Sequence, residues 1–555
     1  MRQHKLLAVL LAGTMPLSGA AQELPSSADV NRIEPFTPSL LDTTQSKTVA
    51  IPDVAPDVSI PDQASAIRFV LDDLMLEGIS AFDKDTIIKQ FASNDIGQEV
   101  GLDRVYIIAS EITSHYRKHG YFLSRAYVPA QSIENGQVTI AVTEGYIADI
   151  ELESDEETSR IIARYQQRLL ALKPIKAQEL ESFMLSLNAL PGQEFTALIR
   201  PYPEHNDAVK LVLQQSDEPA SAAITLDNYG SRFLGPYQSS LRYSDSWLPL
   251  QQTSLSMLSS VPLDELQFFG ITHEIPVYPD WTISLSANYM TSEPGSTLAS
   301  NQIESDSVQW SLGMRYQPIR QRDENLLFGA ELDVRNSNGD ILENNPLTRD
   351  RIRTLRLRSD YDVSDKWNGK NYFNAQLNKG LGILGASDEG DVNLSRAEGN
   401  PEALSLQINA IRQQMITQDW LGVAQLSGQI ASDPLLSVEE FGVGGQRFGL
   451  AYDPSEITGD HGLAVSLELR YISVPSWENI RITPYGFYDH GAVWNEDTGA
   501  ERESASSVGG GIYLSHTSGI SVTLGLAFPL TRDVQNPLYG HNKNPRLLMQ
   551  IGYQF

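Results

Sequence analysis

The clearest pattern in the chain is a strict alternation of apolar and polar positions between Leu463 and Tyr471. Leu463, Val465, Leu467, Leu469 and Tyr471 fall on one face, and Ala464, Ser466, Glu468 and Arg470 on the other. A period of two is the signature of a β-strand, because successive side chains point to opposite faces. The pattern recurs from about Ala222 to the end. Val308, Trp310, Leu312, Met314 and Tyr316 oppose Gln309, Ser311, Gly313 and Arg315. Ile283, Leu285, Ala287 and Tyr289 oppose Ser284, Ser286 and Asn288, and Leu355, Leu357 and Tyr361 oppose Arg356, Arg358, Asp360 and Asp362. The last run, Leu547, Met549, Ile551, Tyr553 and Phe555, alternates to the final residue.

A soluble β-sandwich would account for each run separately. The unbroken length of the series, the aromatics at run ends, and short turns alternating with acidic loops such as Asp388 to Gly399 favour an antiparallel transmembrane barrel of about sixteen strands. Ahead of Leu463, the Gly-rich turn at Gly442, Gly444 and Gly445 and the polar run Asp453 to Gly462 predict a long hairpin loop over 441–462.

Residues 66–217 are patterned differently. Ile67 to Phe82 alternates as a strand, 83–98 reads as a helix capped by Asp83, and Arg104 to His119 as a second helix stopped by Gly120. Strands follow at Phe122 to Pro129 and Gly136 to Ile147, joined by Glu134-Asn135-Gly136. The order β-α-α-β-β then repeats: Ile147 to Ser154, helices Glu157 to Leu172 and Ala177 to Ala189, and strands in EFTALIRPYP and AVKLVLQQ. This divides 66–146 and 147–217 into two small α+β modules ahead of a barrel at 218–555. Residues 22–65, punctuated by Pro25, Pro35, Pro38, Pro52, Pro56 and Pro61, read as an extended tether with a weak short helix near Ala28 to Ile33. Residues 1–21 read as a secretory signal: Arg2 and Lys5, an apolar core from Leu6 to Met15, and small residues before cleavage at Ala20 or Ala21.

Composition sharpens this. At 555 residues, 41% hydrophobic and mean hydropathy −0.25, the chain hides no helical membrane bundle, and Leu6 to Met15 is shorter than the ~20 residues that a spanning helix needs. A net charge of −29 argues against nucleic acid as a partner. The absence of cysteine excludes disulfides and thiolate chemistry. No G-x-x-x-x-G-K-[ST], G-x-S-x-G or H-E-x-x-H occurs, so neither nucleotide hydrolysis nor enzymatic catalysis is expected, and no cofactor. Nine histidines are scattered; His461 and His490 could approach each other, and metal binding there is not expected.

Certain segments resemble those of the outer-membrane transporters of two-partner secretion, within the Omp85 superfamily. GYFLSRAYVPAQSIENGQVTIAVTEGYI is similar to that family's first POTRA domain at Gly120, Tyr121, Pro129, Gln131, Gly136, Glu144 and Gly145. LESFMLSLNALPGQEF resembles the second, with Pro191 and Gly192. DNYGSRFLGPY (Asp227 to Tyr237) resembles the first barrel strand, and YGFYDHGAVW a later strand carrying Asp489. The loop resembles the family's lumen loop at Gly444, Gly445, Tyr452, Asp453, Gly459, Asp460 and Gly462. One position departs: where the family carries arginine, this chain has Leu450. In relatives that arginine is thought to pair with the strand aspartate, so the resemblance leaves Asp489 needing another cation, with Arg447 the nearest candidate.

The resemblance implies a pore in the outer membrane of a Gram-negative bacterium with POTRA domains in the periplasm. It implies export of a large secreted partner of the adhesin or haemolysin kind, unfolded and without ATP. Its other expected partners are outer-membrane lipid and, during biogenesis, the barrel assembly machinery. An Omp85-type assembly factor, and a porin or outer-membrane enzyme, stand as alternatives.

Overall fold

A computed structural model describes residues 25–32, 60–152, 156–203, 205, 207–342, 345–496, 502–534 and 544–555. The expected signal sequence and most of the expected tether lie outside the described residues.

The first module contains β1 (Arg68–Val70), β2 (Asp73–Glu77), α1 (Lys84–Phe91), β3 (Glu99–Gly101), α2 (Leu102–Lys118), β4 (Arg125–Tyr127) and β5 (Gln137–Thr143). The main sheet runs β2-β5-β4, and β1 pairs with β3 in a separate ribbon. The single strand expected over 67–82 is therefore two, broken at Leu71-Asp72, whose amides bond to Gln98 and Gly136 carbonyls instead of a continuing ladder. Asp83 does cap α1, accepting from the Thr86 amide at 2.9 Å, but the helix stops at Phe91, because the chain turns through Gly97 at φ +79° to make β3. Leu74 and Leu76 from the sheet pack on Ile108, Ile112 and Tyr116 of α2 to form the core.

The second module is as expected: β6 (Tyr146–Leu152), α3 (Glu156–Leu170), α4 (Ala177–Leu187), β7 (Gln193–Pro201) and β8 (Ala208–Asp217), in a sheet β6-β8-β7.

Sixteen strands then close into one barrel. They are β9 (Ser221–Asp227), β10 (Gln238–Leu248), β11 (Gln251–Ser260), β12 (Leu266–Tyr278), β13 (Trp281–Ser292), β14 (Glu304–Arg320), β15 (Glu324–Ile341), β16 (Asn345–Ser364), β17 (Gly369–Gly380), β18 (Leu404–Met415) and β19 (Trp420–Ala431). Two short strands, β20 (Phe441–Val443) and β21 (Ile457–Gly459), interrupt the series. The barrel resumes with β22 (His461–Tyr471), β23 (Ile480–Trp494), β24 (Glu503–His516), β25 (Ile520–Pro529) and β26 (Arg546–Gln554). The segment Asp227 to Tyr237 is a correction: only Asp227 belongs to a strand. The rest is the β9–β10 loop, folded inward so that Phe233 and Leu234 are buried.

Burial decides between sandwich and membrane barrel. The apolar half of each alternation is the exposed half: Trp310 is 60% exposed, Leu312 53%, Leu467 50% and Ile430 59%. The polar half points inward, where Ser307, Asp333, Asn374, Asn378, Ser427 and Gln429 are buried. In water this arrangement would be inside out. In a bilayer it places the greasy face against lipid and the polar face in the lumen. No described helix is long and apolar enough to cross a membrane.

β9 leaves the second module directly, so the turns following β10, β12 and β14 lie at the module's end of the barrel. There Arg164 donates to the Val277 carbonyl at 2.8 Å, Arg168 pairs with Asp280, Arg322 pairs with Glu181 at 2.7 Å, and Leu250 enters the module's own core.

Within the first module, Glu144 is a strut. It accepts from the amides of Ser80 and Ala81, both at 2.8 Å, and from the Tyr116 hydroxyl at 2.6 Å. Burial alone would push the carboxyl up, but these donors together hold it below its ordinary value of 4.5. A carboxylate with a lowered folded pKa stabilises above its unfolded pKa, and that contribution is lost as pH falls through the folded value. Glu144→Gln is expected to lower stability by about 1 kcal/mol at pH 7, allowing for solvent screening. In thermal unfolding of the full chain in detergent, the gap from wild type should narrow as pH falls below 4.5.

Candidate functional site: a lumen loop clamped by arginines of the wall

The connection between β19 and β22 re-enters the barrel. Its base is the β20–β21 hairpin, paired Phe441 to Gly459 and Val443 to Ile457. Phe441, Val443, Tyr452 and Ile457 are buried against Ala464, Phe487, Val493, Ala505, Ala527 and Leu548 on the inner wall. Burial of such side chains stabilises by roughly 1.5–3 kcal/mol each. Gly462 makes room for this docking, since a Cβ there would fall 2.0 Å from the Phe441 ring. The turn itself needs Gly444 at φ +124°, where a side chain would also strike the Asp453 carbonyl; Gly445 and Gly449 adopt positive φ beside it.

Arginines from outside the connection hold it, among them Arg356 of β16, which pairs with Glu439 at 2.8 Å. Arg232, on the β9–β10 loop, donates to Asp453 through its backbone amide at 2.9 Å and its Nε at 2.6 Å, and reaches Glu456 at 2.8 Å. Arg546, at the start of β26, donates to the carbonyls of Tyr452, Asn228 and Gly230 and lies 3.4 Å from Asp453 Oδ1. Arg396, from the β17–β18 loop, forms a two-point contact with Asp460 at 2.5 and 3.1 Å and bonds Glu440 at 3.2 Å. Asp460 also accepts from the Leu435 and Glu496 amides. Tyr452, fully buried, donates its hydroxyl to the Ser506 carbonyl at 3.1 Å.

The expected Arg447–Asp489 pair is not what forms. Asp489 accepts from the Leu450 amide at 3.3 Å and the Ser507 hydroxyl at 3.2 Å, and among the described residues its Oδ1 has no hydrogen-bond partner. Arg447 instead lines the lumen cavity. Leu450 therefore meets the strand aspartate through its main chain. The cations lie on other elements, Arg232 and Arg396 on neighbouring loops and Arg546 on β26, and the carboxylates that answer them, Asp453, Glu456 and Asp460, sit on the lumen loop. Arg232, Arg396 and Arg546 carried no local signal: each lies far along the chain from its partner in an ordinary polar context. His461 and His490 do not meet either. The first bonds Glu496 and stacks on Trp494, while the second bonds Ser506.

A second element shares the lumen. Ser26–Ala28 and Val30–Arg32 form 3₁₀ turns inside the barrel, not a periplasmic tether. Ala28 and Val30 pack on Phe233, Leu234, Leu258, Leu266 and Phe268. Ser26 bonds Thr458 at 3.0 Å, Asn31 bonds Ser337 at 2.8 Å, and Arg32 pairs with Glu440. So short a segment, with two small apolar residues, shows no periodicity to read. Between it, the loop and the wall remains a polar cavity of about 650 Å³, with Arg335, Arg356, Gln407, Asn409 and Ser427 among its lining.

The signature residues of the modules are mostly structural. Gly120 and Gly145 accept from the Ala177 and Ile175 amides, tying the two modules together, and Tyr121 lies under Lys176. Gln131 pairs with both the amide and the carbonyl of Thr139, extending the β5 edge beyond β4, and also reaches the Pro129 carbonyl. Gly136, at φ +67°, accepts from Asp72. The Pro191-Gly192 turn sits against Ser246 of β10.

Residues 206–514 match the family described as haemolysin secretion/activation protein ShlB/FhaC/HecB, and residues 69–145 match the ShlB-type POTRA domain. The chain belongs to the ShlB/FhaC/HecB family. Its members are two-partner-secretion transporters of the Omp85 type, set in the outer membrane with periplasmic POTRA domains, and are not enzymes. The heme/hemopexin transporter protein HuxB of Haemophilus influenzae is 21% identical over 474 residues, 80% of each chain. The outer membrane transporter CdiB of Dickeya dadantii is 22% identical over 451 residues, 74% of this chain and 73% of that one. The solved structure of CdiB from Escherichia coli has the same fold, with a TM-score of 0.70, 15% identity, and coverage of 91% and 93%. BamA from Haemophilus ducreyi, without its first three POTRA domains, shares it less closely, at 13% identity, a TM-score of 0.52, and coverage of 87% and 99%.

Removing one member of a buried ion pair costs about 3–5 kcal/mol, because the other charge is left unpaired. Arg232→Ala is therefore expected to free the loop and raise single-channel conductance and protease cleavage near Tyr452. Deletion of residues 25–32 should raise conductance with the loop still protected.

Proposed function

We propose that this chain exports one large secreted protein, in extended form, from the periplasm through its barrel to the cell surface. The supporting observation is a lumen lined by serine, asparagine, glutamine and paired charges, occupied at rest by two elements that polar contacts hold. An extended chain can slide past such a wall by exchanging hydrogen bonds with water and side chains, without an apolar surface to bind it. The chain has no nucleotide-binding loop, so the work comes from outside it, most simply from folding of the partner at the surface.

Recognition in the periplasm is assigned to the free edge of β7. The two three-stranded module sheets leave four edges, and β7, at nine residues, is longer than β6 at seven, β2 at five and β4 at three. It lies beside α4 and carries an exposed Leu198. An extended client adds there as a further strand, main-chain bonds giving affinity and Leu198 a side-chain contact. The second POTRA domain meets the rim at the turns following β10, β12 and β14, among the described residues, leaving the rim beyond β16 open to a client.

Co-expression with the neighbouring exoprotein gene tests this. Deletion of the transporter should abolish surface display of that protein, and Leu198→Asp should reduce it about tenfold, equivalent to 1.4 kcal/mol of lost binding, with barrel assembly unchanged. A general fall in outer-membrane proteins, with the exoprotein still displayed, would indicate an assembly factor instead.

A further inference from the structure

The outer wall holds a hollow at the periplasmic end of β18, β19 and β22–β24. Neighbouring strands align their outward residues in two rows. One row runs Arg412, Ala424, Leu467, Tyr488 and Val508. The next, nearer the periplasm, runs Gln414, Gly422, Leu469 and Gly486. Glycine at two positions of the second row lowers the floor: Ile416 lies over Gly422, Gly486 is bare, and a groove of about 770 Å³ is left. Trp420 and Tyr471, ring centres 5.0 Å apart, stand at its periplasmic edge. Paired Trp and Tyr at strand ends mark the headgroup level of the membrane.

Arg412 stands at the flank of this groove. Its side chain is 37% exposed and 2.7 Å from Asp365. It donates through Nη1 to Asp365 and Asn371 and through Nη2 to Gln414, which leaves its Nε–H for another acceptor. Gln414 in turn bonds the Trp367 carbonyl, so the turn after β16 closes that side.

We propose that this groove binds one phospholipid of the periplasmic leaflet, its acyl chain in the glycine-floored hollow and its phosphate on Arg412. An apolar hollow open to the bilayer is filled by hydrocarbon, and a guanidinium at headgroup depth matches phosphate geometry. The resident lipid lies over β22 and β23, the strands against whose inner faces the lumen loop docks.

The full chain, extracted in mild detergent and exchanged into nanodiscs of phosphatidylethanolamine and phosphatidylglycerol, is examined by native mass spectrometry after release. Wild type should retain one phospholipid. Gly486→Leu should lose it about tenfold, a 1.4 kcal/mol change, because the nearest atom to a Cβ there is the Gly509 carbonyl at 3.8 Å and the side chain fills the groove without meeting the wall. Arg412→Gln should weaken retention of both lipids, since both carry the phosphate. Gly428→Leu, outward-facing but outside the groove, should retain lipid as wild type does. Heat-modifiable migration on gels checks that each barrel is formed. Equal retention in wild type and Gly486→Leu, or none in either, overturns the proposal. So does a wild-type dimer that Gly486→Leu converts to monomer, which would make the occupant a second copy of the chain.

Discussion

The structure depends on closure of the backbone hydrogen-bond network in a solvent that offers none. In hydrocarbon an unpaired amide or carbonyl costs several kcal/mol, so a spanning sheet must have no edge. Here the last strand returns to the first: β26 pairs with β9 from Gln550–Asp227 to Gln554–Ala223. The seam is short, and it is extended at both ends. Ala222 and Phe555 exchange main-chain bonds at 2.9 Å at the periplasmic end, and the Asn228 side chain bridges Leu547 and Met549 at the other. The terminal phenylalanine thus belongs to the closure itself, as well as to the greasy face.

Closure makes an interior, and the interior sets a second problem. A wide polar tube would leak, so it is filled by the 441–459 hairpin and by residues 25–32. Both are held in part by charge pairs. Buried pairs are weak contributors to net stability, because desolvation offsets attraction, yet removing one partner is costly. That combination fixes where the loop sits in the lumen more than it adds to net stability. The loop supplies the acids and the β9–β10 loop, the β17–β18 loop and β26 supply the arginines, while Asp489 has main-chain and hydroxyl partners.

The barrel was legible in the sequence because its burial rule acts residue by residue: every second position meets lipid, and that leaves a period of two in the text. Tyr452, Asp453, Asp460 and Gly462 were legible as a loop motif by resemblance. The clamp was not. Arg232 and Asp453 are joined only when the barrel closes, as are Arg546 and Tyr452, and local pattern carries no trace of such pairings. Residues 25–32 read as tether because two small apolar side chains suffice to dock them against Phe233 and Leu234. The β9–β10 loop carries no local sign of its inward fold, since Phe233 and Leu234 find their buried partners on β11, β12 and residues 28–30.

Adjacent residues on one strand offer the most direct test that the lumen is the route. Ser427 of β19 lines the cavity, and its neighbour Leu426 faces lipid at 42% exposure. A photo-crosslinking residue placed at either position, during export of a partner stalled by a folded C-terminal domain, should join the partner from 427 and not from 426. Crosslinks from 426 with none from 427 would mean that the partner travels outside the barrel, and would contradict the account.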